Sequence, residues 1–207
     1  MESLILLSTA YLAPISYYCR LNFYKEIQIE QWEHYIKQTY RNRCVIVSER
    51  GPLSLCIPIE KNVPHIPIKD VRISEHGNWK KLHWQALLYA YKRSPFFEYY
   101  ADYLAPFYNT QYHYLLDFNE QLREIICQLI GIKRTIKFTD SYFQENSCED
   151  DRKLVSPQNT KTDKLFHPIP YYQAFAQKNG FVPNASIVDL LFNMGPESIL
   201  LLKQCLY

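Results

Sequence analysis

Residues Leu4–Ser8 form a short, uncharged apolar run, and this run together with the segment up to Glu30 restricts the fold more than any other part of the chain. A run this short suits a strand buried on both faces, because a buried helix needs ten or more residues. After the connection Ser8-Thr9-Ala10, Pro14 suits the first turn of a helix, where its missing N–H costs nothing, and that helix reaches to about Phe23. Glu26–Glu30 then alternates polar and apolar residues, the pattern of a second strand. A strand, a helix and a strand in succession make a parallel pair with a right-handed crossover. The unit places the chain in the α/β class with a mainly parallel sheet. The uncharged stretch Ser3–Cys19 is not read as a secretory leader: Glu2 stands where Lys or Arg belongs, the apolar core is short and Pro14 interrupts it. No run approaches the roughly 20 apolar residues that cross a bilayer, so no membrane segment is expected.

Downstream, Arg43–Ser48 and Leu53–Ile57 read as a β-hairpin around Glu49-Arg50-Gly51-Pro52. Asn62–Asp70, with Pro64 and Pro67, reads as an irregular connection, and Val71–Ser74 as a short strand. Asn78 is placed to cap a helix from Trp79 to about Arg93, with the stripe Trp79, Leu82/His83, Ala86 and Ala90, stopped by Ser94-Pro95. A second, aromatic helix covers Phe96–Leu104 and ends at Pro106. Leu115, Phe118, Leu122, Ile125 and Leu129 share one face of a helix running to Ile130, with Gly131 as its left-handed cap. Thr135–Phe138 reads as a strand, and the polar stretch Gln144–Leu165 as a long loop. Ser186 begins Ser-x-x-Asp before Leu190-Leu191-Phe192, a capping-box-like helix start, and Pro196 opens a last helix ending near Gln204. The pattern predicts one domain over residues 1–207: a mainly parallel sheet, an added β-hairpin and a helical C-terminal half.

Composition narrows the function classes. With 47% hydrophobic and 21% charged residues, long disorder is not expected. A net charge of +2 is too small to draw in nucleic acid, so an anion site has to come from local clustering of Lys and Arg. The six cysteines show no C-x-x-C or zinc-type spacing, and several sit in apolar runs; this suits reduced, buried thiols in a cytoplasm and predicts no metal site. The chain also lacks a P-loop, G-x-G-x-x-G, G-x-S-x-G and H-E-x-x-H, and five Gly leave little for a glycine-built phosphate cradle.

The densest chemistry lies in Glu30–Arg43. It comes after the second strand of the β-α-β unit, at the edge where open α/β sheets place ligands. Arg41 and Arg43 flank Asn42 at the start of a strand and share a face, so the two guanidinium groups repel unless an anion or a carboxylate lies between them. One reading makes Arg41, Arg43 and Lys37 an anion clamp, with Glu33 or Glu30 as general base. The other pairs both arginines with Glu30 and Glu33 in an internal ion network. The sequence leaves both open. A second candidate is His76-Gly-Asn-Trp79-Lys80-Lys81-Leu-His83: Lys80 and Lys81 sit in a first helical turn, where the dipole disfavours cations, unless an anion is held there. Its bland alternative is a solvated Lys80–Lys81 face with His83 packed on the stripe. His76 and His83 lack metal-ligand spacing. The third, Tyr91–Tyr100, sets Lys92 and Arg93 beside aromatic rings; base stacking is one use, but packing between helices is the commoner one, and no nucleic-acid motif accompanies it.

Several separated motifs resemble the WbqC-like protein family: Ala10-Tyr-Leu-Ala-Pro14-Ile-Ser-Tyr17-Tyr, Glu33-His-Tyr-Ile-Lys37-Gln-Thr-Tyr-Arg41-Asn-Arg43, Trp79-Lys-Lys-Leu-His83-Trp, Ser94-Pro-Phe-Phe-Glu-Tyr-Tyr100 and the closing Phe181-Val-Pro-Asn-Ala-Ser-Ile-Val-Asp189-Leu-Leu-Phe-Asn193-Met-Gly-Pro196-Glu. The resemblance is closest to the short, Bacteroides-type form. Longer members carry a Ser-Gly-rich loop where this chain has the glycine-free Gln144–Leu165 stretch. The family takes its name from bacterial surface-polysaccharide gene clusters. The resemblance therefore implies a cytoplasmic transferase that uses a nucleotide-linked sugar or a similar activated anionic small molecule. In that reading Lys37, Arg41, Asn42 and Arg43 bind the anion with Lys80 and Lys81, Tyr11 and Trp79 shape the pocket, and Glu33, Glu30 and His83 carry catalysis. The alternative is a non-catalytic scaffold of a glycan-assembly complex.

Overall fold

The computed structural model describes residues 4–60, 65–143, 148–157 and 163–206. β1 (Leu4–Ser8) and β2 (Glu26–Glu30) are the inner strands of a four-stranded sheet, paired in parallel from Leu4 opposite Glu26 to Ser8 opposite Glu30. Helix α1 (Ile15–Phe23) joins them. β5 (Ile136–Phe138) adds in parallel outside β2, and β6 (Glu149–Asp150) in parallel outside β1. Ile5, Leu6 and Leu7 are all buried, as both-face coverage requires, whereas β2 buries Ile27 and Ile29 and leaves Glu26 exposed. All four strands end on one edge. The architecture is the α/β fold with a mainly parallel sheet.

β3 (Arg43–Ser48) and β4 (Gly51–Cys56) form a separate antiparallel hairpin. Ser48 pairs with Gly51, so Glu49 and Arg50 alone make the turn and β4 starts two residues before the expected Leu53. Gly51 takes φ +99°, which a side chain would resist, and the Ser48 hydroxyl donates to its carbonyl at 2.7 Å. The helices are α2 (Trp79–Tyr91), α3 (Phe97–Asn109), α4 (Leu115–Ile130), α5 (Ala176–Asn179), α6 (Ile187–Met194) and α7 (Ser198–Gln204). One apolar cluster runs from β1 and α1 through the hairpin to α2, α4 and α6. Tyr91 links two layers: its hydroxyl accepts the Val47 amide at 3.0 Å and its ring meets Phe192 at 5.2 Å.

Several local expectations give way to tertiary contacts. Val71–Ser74 forms isolated bridges, Ile73 to Ile59 and Arg72 to Tyr114, in place of a strand. Asn78 precedes α2 with φ +50° and caps nothing with its side chain; α2 ends at Tyr91, and it buries Leu87 rather than the exposed Leu82. Helix α3 passes through Pro106 to Asn109, because a proline removes one backbone donor and its own carbonyl still accepts, here from the Thr110 amide at 3.0 Å. After Leu122, α4 buries Ile126 and Ile130 more deeply than Ile125 and Leu129. The Ser186 hydroxyl donates to the Leu12 carbonyl at 2.7 Å instead of capping α6, and Pro196 sits in a single 3-10 turn, Gly195–Glu197, before α7.

The Gln144–Leu165 expectation changes most. Residues 144–147 and 158–162 lie outside the described residues, as do 61–64 of the Asn62–Asp70 connection. The remainder of the former contains β6 and a 3-10 turn at Arg152–Val155. Arg20 of α1, 2% exposed, bonds the carboxylate of Asp151 and, at 2.8 Å, that of Asp163. The polar stretch that reads as a long loop therefore supplies buried partners for Arg20 of α1.

Candidate functional site

In the strand order β5-β2-β1-β6, the chain moves outward from β1 to β2 and β5, then returns to the other side of β1. The reversal lies between β1 and β6, and ligands of open α/β sheets bind outside the carboxyl ends of strands at such a point. A cleft of about 380 Å³ opens there. Its walls carry Lys37, Arg41, Arg152 and Lys153 against one lining carboxylate, Glu33.

The walls are held rigidly. Glu33 and Arg41 make a bidentate pair, Nε to Oε1 at 2.9 Å and Nη2 to Oε2 at 2.6 Å, both side chains buried. Arg41 Nη2 also donates to Ser8 Oγ, at the end of β1, at 2.8 Å. On the opposite wall, Arg152 donates to Asp150 through Nε at 2.9 Å and Nη2 at 2.7 Å and stacks on Tyr142, 5.1 Å from its ring centroid. Those hydrogen bonds hold the Asp150 carboxyl below the usual range. Glu30, fully buried at the end of β2, lies behind this wall and is not part of the lining. Its oxygens accept from the Trp32 amide, the Thr139 hydroxyl and the Phe143 amide, each at 2.8 Å, and Arg152 Nη1 lies 3.5 Å away. Lys37 stands exposed on the rim, beside Gln38 at φ +60°, a strained backbone for a residue with a side chain.

The cleft thus brings together Glu33, Lys37 and Arg41 of the sequence candidates; Glu30 does not line it but approaches Arg152 from within the core. Arg41 takes the internal-pair reading, with Glu33 as its partner. Arg43, the first residue of β3, does not line the cleft; it is half-buried and its Nε has no hydrogen-bond partner among the described residues. Asn42 is buried and donates to the Ile57 carbonyl at 2.8 Å, which ties the strand ends of the hairpin. Tyr11 is fully buried, with its hydroxyl 3.0 Å from His83 Nδ1 and 2.9 Å from the Tyr108 hydroxyl. Burial pushes the His83 imidazole down to about 4, opposed by its bond to the Cys56 backbone, so it is neutral at pH 7 inside the core and away from the cleft. Trp79 packs on His83 and Phe118. Lys80 pairs with Glu75 at 2.8 Å, and Lys81 is exposed.

Arg152, Lys153, Tyr142 and Ser156 complete the cleft, and sequence reading missed them. The only signal was Asp150-Asp151-Arg152-Lys153, an alternation of paired opposite charges inside the polar stretch. Ser8, last residue of the first strand, was legible as a strand end but not as the partner that anchors Arg41. Among the described residues, no group of three or more His, Cys, Asp or Glu side chains converges in a way that would hold a metal ion. Cys19, Cys44, Cys56, Cys127 and Cys205 are free thiols. No helix among the described residues is long and apolar enough to cross a membrane.

A family model described as the WbqC-like protein family matches residues 9–170, which span every residue of the cleft. The chain belongs to the WbqC-like family. It is also 27% identical to the uncharacterised protein Rv1507c of Mycobacterium tuberculosis (strain ATCC 25618 / H37Rv), over 99% of each chain. No solved structure matches the chain significantly. The family match ends before the closing motif Phe181–Glu197, where Asp189 sits. That carboxyl is buried, which pushes it up to about 6 against the hydrogen bonds from Tyr171, Tyr91 and Gln173. It stitches α6 to the chain before α5, and is part of the core.

Proposed function

We propose that the cleft binds the phosphate groups of an activated anionic small molecule, a nucleotide-linked sugar in particular, and that the protein is a transferase of bacterial surface-polysaccharide biosynthesis. The observation that carries this reading is a cleft at the strand-order reversal lined by four basic side chains, with Arg41 and Arg152 already fixed in place by Glu33 and Asp150. Arg41 and Arg152 are pinned before any ligand arrives, so binding sacrifices little of their side-chain freedom. Lys37, exposed on the rim, supplies charge that adapts to the ligand, and Lys153 adds to the positive lining. Glu33 is the carboxylate nearest the anion, and for it to take a proton from an acceptor hydroxyl Arg41 has to share its oxygens. Glu30, saturated by donors, fixes the Trp32, Thr139 and Phe143 segments to the end of β2.

Thermal denaturation against a panel of nucleotides and nucleotide-sugars tests the reading. The expected outcome is stabilisation by one class of diphosphate ligand, with affinity reduced about tenfold in Lys37→Ala and in Lys153→Ala. A panel that leaves the melting temperature unchanged, or a shift that survives both substitutions, overturns it. The second reading, a non-catalytic scaffold of a glycan-assembly complex, is favoured by Tyr99 and Tyr103 of α3, 72% and 54% exposed. It predicts an inert cleft and a partner lost on Tyr99→Ser.

A further inference from the structure

A groove of about 910 Å³ lies away from the cleft, between α2, the β3–β4 hairpin and the segment that holds Phe175 and Lys178. Its surface is unusual for water-facing residues. Leu53 of β4 is 39% exposed, Leu82 of α2 57% and Tyr89 of α2 72%. Leu82 and Tyr89 stand seven residues apart, two helical turns on one face, with Ala86 between them: an apolar floor about 10 Å long. Arg50, Lys92 and Arg93 surround that floor, and none of the three has an ion-pair partner among the described residues. The one lining carboxylate, Glu49, is already occupied by Lys178 at 3.1 Å. The shape exists before any partner binds, because Asn179 Nδ2 donates to the Ser48 and Glu49 carbonyls at 3.1 and 3.2 Å and so ties α5 to the hairpin turn.

We propose that this groove docks an acidic amphipathic helix of a partner protein. Charge sets the sign of the partner: three unpaired cations around an apolar floor leave an excess that only an acidic surface neutralises. The floor sets its chemistry. Leucine and alanine side chains offer nothing to sugar hydroxyls, and the uncharged polar groups of the lining are those of Ser48, Gln85 and the Tyr89 hydroxyl. A glycan would leave its hydrogen bonds unmade, whereas apolar anchors at i, i+4 and i+7 match the spacing of the floor. The walls favour a rod over a flat lipid surface. Tyr89 and Arg93, an exposed aromatic ring and a free guanidinium on a preformed surface, are the residue types that dominate such interfaces.

The test uses the full chain and a fluorescein-labelled peptide of about 18 residues, Leu and Tyr at i, i+4 and i+7 and Glu elsewhere. Its controls are a scrambled peptide of the same composition, a counterpart with Lys for Glu, anionic phospholipid vesicles and an oligogalacturonate. The expected result is binding of the amphipathic acidic peptide at least about tenfold tighter than the scrambled one, weakened at least about tenfold by Tyr89→Ser and by Arg93→Glu. Both substitutions are at exposed positions, and unchanged thermal melts show that the variants are folded. Equal binding of the scrambled peptide, no binding at about 100 µM, or indifference to both substitutions overturns the proposal. Tyr89-dependent binding of vesicles or oligogalacturonate in place of the peptide overturns it in favour of that surface. Lys37→Ala and Lys153→Ala leave peptide binding unchanged, so this result and that of the nucleotide panel are independent.

Discussion

Arg41 and Glu33 show how a single charged residue can be functional in position and structural in bonding. Two of the guanidinium nitrogens are spent on the carboxylate, and one of these also holds Ser8. Removing one partner leaves a buried charge without compensation, so Glu33→Gln or Arg41→Met is expected to lower the urea-unfolding free energy by about 3–5 kcal/mol. The double substitution is expected to cost less than the sum, and a double-mutant cycle measures the difference. Asp189 behaves differently. Its folded pKa of about 6 lies above the usual carboxylate value of 3.8, because burial outweighs its hydrogen bonds. The folded state therefore binds the proton more tightly, and the contribution to stability is present below pH 4 and lost as pH rises through 6. Relative to Asp189→Asn, the parent protein should lose about 3 kcal/mol between pH 4 and pH 6 in urea titrations. His83 acts with the opposite sign over nearly the same window. Its folded pKa of about 4 makes the unfolded state the better proton binder, so its contribution falls as pH drops from 6.5 to 4.

At the scale of elements, the short pieces are positioned by what they touch. β6 has two residues and no apolar run, yet it pairs with Ile5 and Leu6 of the central strand and places Arg152 at the cleft. Arg20 secures the segment from beneath by bonding Asp151 and Asp163. The junction of α6 with α7 depends on Gly195. It has φ +53°, and a Cβ there would lie 2.5 Å from the ring of Phe96. Gly131, the cap of α4, also has positive φ, at +88°, but open space around it. Gly131→Ala should cost about 1 kcal/mol from backbone strain alone. Gly195→Ala should cost about 2–4 kcal/mol, since overpacking against Phe96 is added to that strain. Thermal melts of the two variants, compared side by side, separate the terms.

For the whole molecule, the sheet, the hairpin and the helices share one apolar cluster. No layer of it could retain its core once another had left. Urea unfolding is therefore expected as a single transition, with tryptophan fluorescence and far-UV circular dichroism coinciding. Two separated transitions would mean that the hairpin and its helices form a domain of their own. The charge is distributed unevenly over this body. Although the net charge is only +2, the cleft and the α2 groove each collect cations in concave places, one at the sheet edge and one between a helix and a hairpin. Local concentration of this kind determines which anions bind where; the total does not.

The sequence alone was enough for the parallel β1–α1–β2 unit and for α4. Each rests on a pattern that neighbouring residues impose: apolar runs and helical period. It also brought Glu33, Lys37 and Arg41 forward as a group, because they are close along the chain. It could not choose between an anion clamp and an internal pair for Arg41, nor show that Arg43 turns away. It could not see Arg152 arrive from more than a hundred residues downstream, or tell that Asp151 and Asp163 are buried on Arg20. Those outcomes depend on which side chains meet after the chain has crossed back over β1. Charged residues have no period that marks them as buried, and only the folded structure decides which of them find a partner and which remain free for a ligand.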